Sequence, residues 1–127
     1  MTTKPLPTIY VVDDDEVVRD SLKALLESRH FNVLDFESGR EFLERRAVSA
    51  ASCLILDVHM AGMSGLELLK ILRDQGDSLP TVLITGRIDP TVRAEAKALG
   101  AVATLDKPVS HQLLFATIQQ ALASRAP

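Results

Sequence analysis

Five short runs of β-branched and apolar residues recur along this chain, each followed by a longer stretch whose apolar residues return at helical spacing. That alternation restricts the fold more than any other feature of the sequence. The runs are Ile9–Val12, Val33–Phe36, Cys53–Leu56, Thr81–Thr85 and Ala101–Leu105. Val18, Leu22, Leu25 and Leu26 share one face of a first predicted helix, and Phe42 with Leu43 marks a second, shorter one. Leu66, Leu69 and Ile71 or Leu72 mark a third, Val92, Ala96 and Leu99 a fourth, and Leu114, Ile118 and Leu122 a fifth.

Boundary residues agree with this parsing. Ser38 with Glu41, and Ser64 with Glu67, have the spacing of a capping box. Asp89-Pro90 reads as an N-cap followed by proline in the first helical position, and Gly76 and Gly100 sit where helices should stop. Five consecutive βα units predict an α/β fold: a parallel sheet with helices on both faces, because parallel strands need crossover helices. For five strands the leading arrangement is the flavodoxin-like order 2-1-3-4-5. In such sheets ligands bind at the carboxyl ends of the strands, where the strand order reverses.

The 127 residues suit a single domain spanning 1–127, with its core over residues 7–124. Hydrophobic residues at 46% and charged residues at 24% are ordinary for a globular chain, which excludes disordered and collagen-like classes. No apolar run reaches the length of a bilayer span, and Met1-Thr2-Thr3-Lys4-Pro5 lacks the apolar centre of a signal peptide. The lone Cys53 cannot form an internal disulfide, so a cytoplasmic location is expected. A net charge of −3 with no Lys/Arg block argues against direct nucleic-acid binding, and aromatics at 4% argue against a base-stacking surface.

The strand ends carry the chemistry. The first strand runs into Asp13-Asp14-Asp15, the third ends on Asp57, the fourth on Thr85-Gly86, and the fifth is followed by Asp106-Lys107-Pro108. Adjacent parallel strands would bring Asp13, Asp14 and Asp57 into one cleft with Thr85 and Lys107 at its rim. Clustered carboxylates raise one another's pKa unless positive charge offsets them. Lys107 is one remedy, and a hard divalent cation with oxygen ligands is the other, Mg²⁺ being the natural choice. A carboxylate beside such a cation can accept a phosphoryl group as an aspartyl phosphate. Singly, each residue has a plainer explanation as a turn residue, a solvated charge or, for Asp15, a helix cap. Five of them ending four strands of one sheet point to a site.

Val11-Val12-Asp13-Asp14-Asp15, Leu54-Ile55-Leu56-Asp57-Val58-His59-Met60, Gly62-Met63-Ser64-Gly65, Leu83-Ile84-Thr85-Gly86 and Asp106-Lys107-Pro108 together resemble the receiver domains of bacterial two-component response regulators. The resemblance covers essentially the whole chain. Its Asp-Asp-Asp-Glu opening and Met-Ser-Gly-Leu-Glu segment are closest to receivers of the FixJ/NarL type, whose members often carry a C-terminal helix-turn-helix.

The resemblance implies a phosphoacceptor switch with Asp57 as acceptor, taking its phosphoryl group from a histidine kinase or phosphotransfer protein. Asp14 would ligate Mg²⁺ directly and Asp13 mainly through water, with Asp57 and the His59 main-chain carbonyl completing the protein ligands; Mn²⁺ could replace it. Thr85 would follow the phosphoryl group, Lys107 would pair with it, and the Lys107-Pro108 bond would be cis. His59 and Arg87 would flank the phosphoryl group and tune its lifetime. Output would pass through the fourth helix, fifth strand and fifth helix, the surface implied for homodimerisation. Beyond its own phosphorylation and slow hydrolysis the domain would turn over no substrate.

Two departures from the family pattern matter. Ala61 stands where proline is usual, which should loosen the loop after Asp57 slightly. Thr104 stands at the switch position, where an aromatic is usual, and is too small for the same packing. Either another side chain transmits the signal or the output surface responds weakly. Two rival readings remain. Asp13-Asp14-Asp15-Glu16-Val17 also satisfies the nucleophile motif of haloacid-dehalogenase-type phosphohydrolases, with Asp13 as nucleophile and Asp15 as acid/base, though this leaves Asp57 unexplained. Alternatively, the domain is a phosphorylation-independent interaction module that keeps the fold and its acidic cleft.

Overall fold

The computed structural model describes residues 6–46, 52–87 and 89–125. The N-terminal pentapeptide and Ala126-Pro127 therefore lie outside the described residues. The elements follow in strict alternation: β1 (Thr8–Val12), α1 (Glu16–Glu27), β2 (Asn32–Phe36), α2 (Gly39–Arg45), β3 (Cys53–Asp57), α3 (Gly65–Asp74), β4 (Thr81–Thr85), α4 (Pro90–Ala98), β5 (Ala103–Asp106) and α5 (His111–Arg125). All pairings are parallel and the order is β2-β1-β3-β4-β5, as the βα alternation predicts.

Period-two alternation along the strands divides the core between the two faces of the sheet. Ile9, Val11, Cys53, Ile55, Val82 and Ile84 point to one face and pack with Leu26 of α1 and Leu114 and Ile118 of α5. Tyr10, Val12, Leu54, Leu56 and Leu83 point to the other, against Phe42 of α2, Leu68, Leu69 and Leu72 of α3, and Ala96 of α4. The central strands β3 and β4 are buried along their whole length, which is why they read as continuous apolar runs rather than as alternating ones. Tyr10 belongs to the core, edge-on to Phe42 at 5.3 Å between ring centroids. Cys53 is a buried packing residue whose thiol is pushed up to about 12 by desolvation, so it stays protonated.

The helix boundaries have local causes. Asp15 caps α1 by accepting from the Val17 and Val18 amides, and Asp89 caps α4 ahead of Pro90. Ser38 and Ser64 accept from the amides of Glu41 and Glu67, the forward half of each expected box. Gly76 and Gly100 take φ values of +79° and +76°, the left-handed conformation that ends a helix cheaply only at glycine.

β1, β2 and β3 each gain one residue over the expected runs, and the largest boundary shift is in β5. The fifth strand begins at Ala103 rather than Ala101, because the Ala101 amide is spent on the Ala96 carbonyl at the end of α4. Val102 makes a single main-chain bond to Thr81 before regular pairing starts.

Candidate functional site

Each acidic residue reaches the carboxyl edge of the sheet for a separate local reason. Asp57 is the last residue of β3 and is buried, with its Oδ1 accepting weakly from the His59 amide at 3.4 Å. Asp13 follows β1, and its Oδ1 accepts from the Asp15 amide at 2.9 Å while its own amide donates to the Phe36 carbonyl. Asp14 is exposed, and its Oδ2 accepts from the Ala61 amide at 3.0 Å. That bond requires an N–H at position 61, which proline would not have. The alanine there therefore links the loop after Asp57 to the loop after β1.

One carboxylate oxygen from each of Asp13, Asp14 and Asp57 lies within 4.8 Å of the other two. Lys107 Nζ stands 3.4 Å from Asp57 Oδ1 and 3.7 Å from Asp13 Oδ2. Burial, reinforced by the charges of Asp57 and Asp14, raises the Asp13 carboxyl above its ordinary value, and neither the Asp15 amide nor Lys107 cancels this. The cleft is short of positive charge.

That imbalance has a pH signature. A carboxyl raised above 3.8 in the fold costs stability once ionised. Below that value both folded and unfolded chains hold the proton and the cost is absent. It grows as pH rises and is complete once pH passes the folded value. Asp13→Asn should therefore stabilise the metal-free protein near pH 7 and lose that advantage near pH 3. Denaturant melts of both proteins at the two pH values check this.

Around Asp57 a cleft of about 370 Å³ is lined by His59, Gly86, Arg87 and Lys107. His59 and Arg87 are exposed at its mouth. The Thr85 hydroxyl is buried and engaged with Arg87, donating to its carbonyl at 3.0 Å and accepting from its amide at 3.2 Å. The Lys107 amide donates to the Thr85 carbonyl at 2.8 Å, which joins the ends of β4 and β5, and the Lys107-Pro108 bond is cis. Asp13, Asp14, Asp57, Thr85, Lys107, His59 and Arg87 thus converge, whereas Thr104 lies apart, on the groove between α4 and β5.

Arg19 contributes to the site from a distance, donating to the Asp13 carbonyl at 2.7 Å while its Nε contacts Asp35 at 3.2 Å. Gly65 lies against the main chain of Asp57. Neither contact carries a periodic or capping signal in the sequence.

The response regulator receiver domain model matches residues 9–119. The chain belongs to the response-regulator receiver family. The receiver is 40% identical to the transcriptional regulatory protein FixJ of Bradyrhizobium diazoefficiens over all 127 of its residues, which cover 61% of that protein. Among solved structures, response regulator StyR superposes with a TM-score of 0.88 at 41% identity, covering 94% of this chain and 61% of that one. The isolated FixJ-N structure superposes with a TM-score of 0.81 at 34% identity, covering 91% and 93%. This receiver therefore spans about three-fifths of the length of FixJ. Family membership leaves the phosphohydrolase and phosphorylation-independent readings without support. Asp15, the acid/base in the former, is occupied as the cap of α1. Among the described residues no helix is long and apolar enough to cross a membrane.

Proposed function

We propose that this receiver is the phosphoacceptor switch of a two-component phosphorelay and that Asp57 takes the phosphoryl group. The observation that carries this reading is the placement of Lys107 Nζ 3.4 Å from Asp57 Oδ1 inside a cluster of three carboxylates. An Asp57 oxygen attacks the phosphorus of a phosphohistidine on a kinase or phosphotransfer protein. The new O–P bond forms as the P–N bond breaks, and the electron pair of the broken bond stays on the imidazole nitrogen, which ends protonated or hydrogen-bonded. Lys107 pairs with a phosphoryl oxygen as charge builds there. Thr85 gives up its bonds to Arg87 and donates its hydroxyl to another.

The donor set fits a hard divalent cation. Its side-chain ligands are all carboxylate oxygens, three of them gathered around the single ammonium of Lys107, which supports a cation with oxygen ligands. Asp14 would bind Mg²⁺ directly, Asp13 through water, and Asp57 and the His59 carbonyl would complete the protein ligands; Mn²⁺ suits the same oxygens. When bound, the cation supplies neutralisation of the transferred group and of the carboxylate that receives it.

His59 and Arg87, exposed at the mouth of the cleft, are placed to govern how readily water reaches the acyl phosphate. Self-phosphorylation from a small phosphodonor and slow self-hydrolysis are the only turnovers in this reading. Phosphorylation shifts a pre-existing equilibrium in α4, β5 and α5, the surface for homodimerisation or partner docking. The residues described form one receiver domain, and a cytoplasmic location suits this reading.

The bond type gives a test. After labelling with radioactive acetyl phosphate, neutral hydroxylamine should release the label and leave a hydroxamate on the peptide containing Asp57. A label that resists hydroxylamine would place the phosphate on a hydroxyl and contradict the proposal.

A further inference from the structure

Among the described residues, the side-chain hydrogen bonds that join α4 to β5 come from Arg93. Its Nη1 donates to the Thr104 carbonyl at 3.0 Å and its Nη2 to Asp106 Oδ2 at 2.7 Å. The guanidinium thus holds main chain and side chain of an edge strand with one planar fork. Thr104, Ala101, Val102 and Ala103 are small or medium-sized and line an open groove of about 310 Å³ with Arg93 and Lys97.

Both ends of the fork lead back to Asp57. Asp106 precedes Lys107, whose ammonium contacts Asp57 and whose amide is bonded to the Thr85 carbonyl. At the other end, α4 follows the loop in which Arg87 engages the Thr85 hydroxyl. Lys107 and Thr85 are the two groups that a phosphoryl group on Asp57 would draw inward. Moving them shifts the β4–α4 loop against the end of β5, and the fork spans those two pieces.

We propose that Arg93 is a positioning residue whose fork on Thr104 and Asp106 holds α4 against β5 in the unphosphorylated arrangement, so that opening it favours phosphoryl binding at Asp57. This rests on the phosphoacceptor reading. It assigns to a guanidinium on α4 the coupling that Thr104 is too small to provide by packing. Because a ligand shifts an equilibrium only through its different affinities for the two states, weakening a contact specific to the unphosphorylated state must raise affinity for a phosphoryl mimic. The ion pair is about two-fifths exposed on each side, so its effect is moderate.

The test is calorimetric titration of the Mg²⁺-loaded protein with beryllofluoride, a phosphoryl mimic, for wild type, Arg93→Ala, Asp106→Asn and the double variant. Each single substitution should tighten binding about threefold, and the double should tighten no further than the stronger single, since both break one fork. Equal affinities in all four proteins, even with lowered melting temperatures, would reduce the fork to a structural contact and overturn the proposal. Weaker binding in the variants would overturn it by reversing the sign. Wild type that ignores beryllofluoride would remove the phosphoacceptor reading and this inference together.

Discussion

Gly65→Ala should destabilise the receiver by about 3 kcal/mol, at the upper end of what overpacking a tight contact usually costs. A Cβ at this position would overlap the Asp57 carbonyl oxygen and stand only 3.0 Å from the Asp57 carbonyl carbon and from Val58 Cα. Those are main-chain atoms of the strand that carries the acceptor, and they cannot swing aside as a side chain would. The Gly65 amide also donates to the Val58 carbonyl at 2.9 Å, which fixes the first turn of α3 on the end of β3. The substitution must push the helix away or displace Asp57. Equilibrium denaturation should show the loss, and an unchanged midpoint would mean that α3 and β3 separate more easily than this packing implies.

The second large effect is on chemistry. Lys107→Ala should slow phosphoryl uptake from acetyl phosphate by about 10²- to 10³-fold, the usual cost of removing one preorganised charge partner from a site where negative charge builds up. Lys107 is the ammonium that bridges Asp57 and Asp13, and its Nζ lies within 3.7 Å of both carboxylates. The side chain is one-third exposed, so water partly replaces it and its effect on folding should be smaller than its effect on rate. Time courses of phosphorylated fraction at saturating Mg²⁺ measure this. A Lys107→Ala rate within threefold of wild type would mean that the cation alone carries the neutralisation.

Saturating Mg²⁺ should also protect the fold. At ten times its dissociation constant the ion stabilises wild type by ~1.4 kcal/mol through mass action, and Asp57→Asn should lose most of that gain. Melts with and without Mg²⁺ decide this. Equal protection of the two proteins would remove Asp57 from the ligand set.

Much of this architecture is legible in the sequence because its signals are local or periodic. The strands β1, β3 and β4 are mostly β-branched and leucine residues that run into or end on Asp or Thr, and the parallel topology follows from alternation alone. Convergence of Asp13, Asp14, Asp57, Thr85 and Lys107 follows in turn, since all five end strands or lie next to strand ends on one edge. The start of β5 was not legible. Ala101 and Val102 are as strand-like as the residues after them, and only the closure of α4 through Ala96 removes Ala101 from the ladder.

Arginines were the other blind spot. Arg19, Arg73 and Arg93 belong to no motif in the sequence, yet each reaches main-chain carbonyls beyond its own helix. Arg19 reaches Asp13, Arg73 reaches Asp77, Leu79 and Leu99, and Arg93 reaches Thr104. Long side chains that satisfy distant carbonyls carry no periodic signal. The importance of Gly65 is similarly hidden, because a helix-starting glycine after Ser64 gives no hint that Asp57 lies directly beneath it.

The most direct test of Asp57 as phosphoacceptor is intact mass after incubation with acetyl phosphate, with and without Mg²⁺, on wild type and Asp57→Asn. Wild type should gain one phosphoryl group, dependent on Mg²⁺, and Asp57→Asn none under any condition. A gain that survives Asp57→Asn would contradict that role and make Asp13 the next residue to replace.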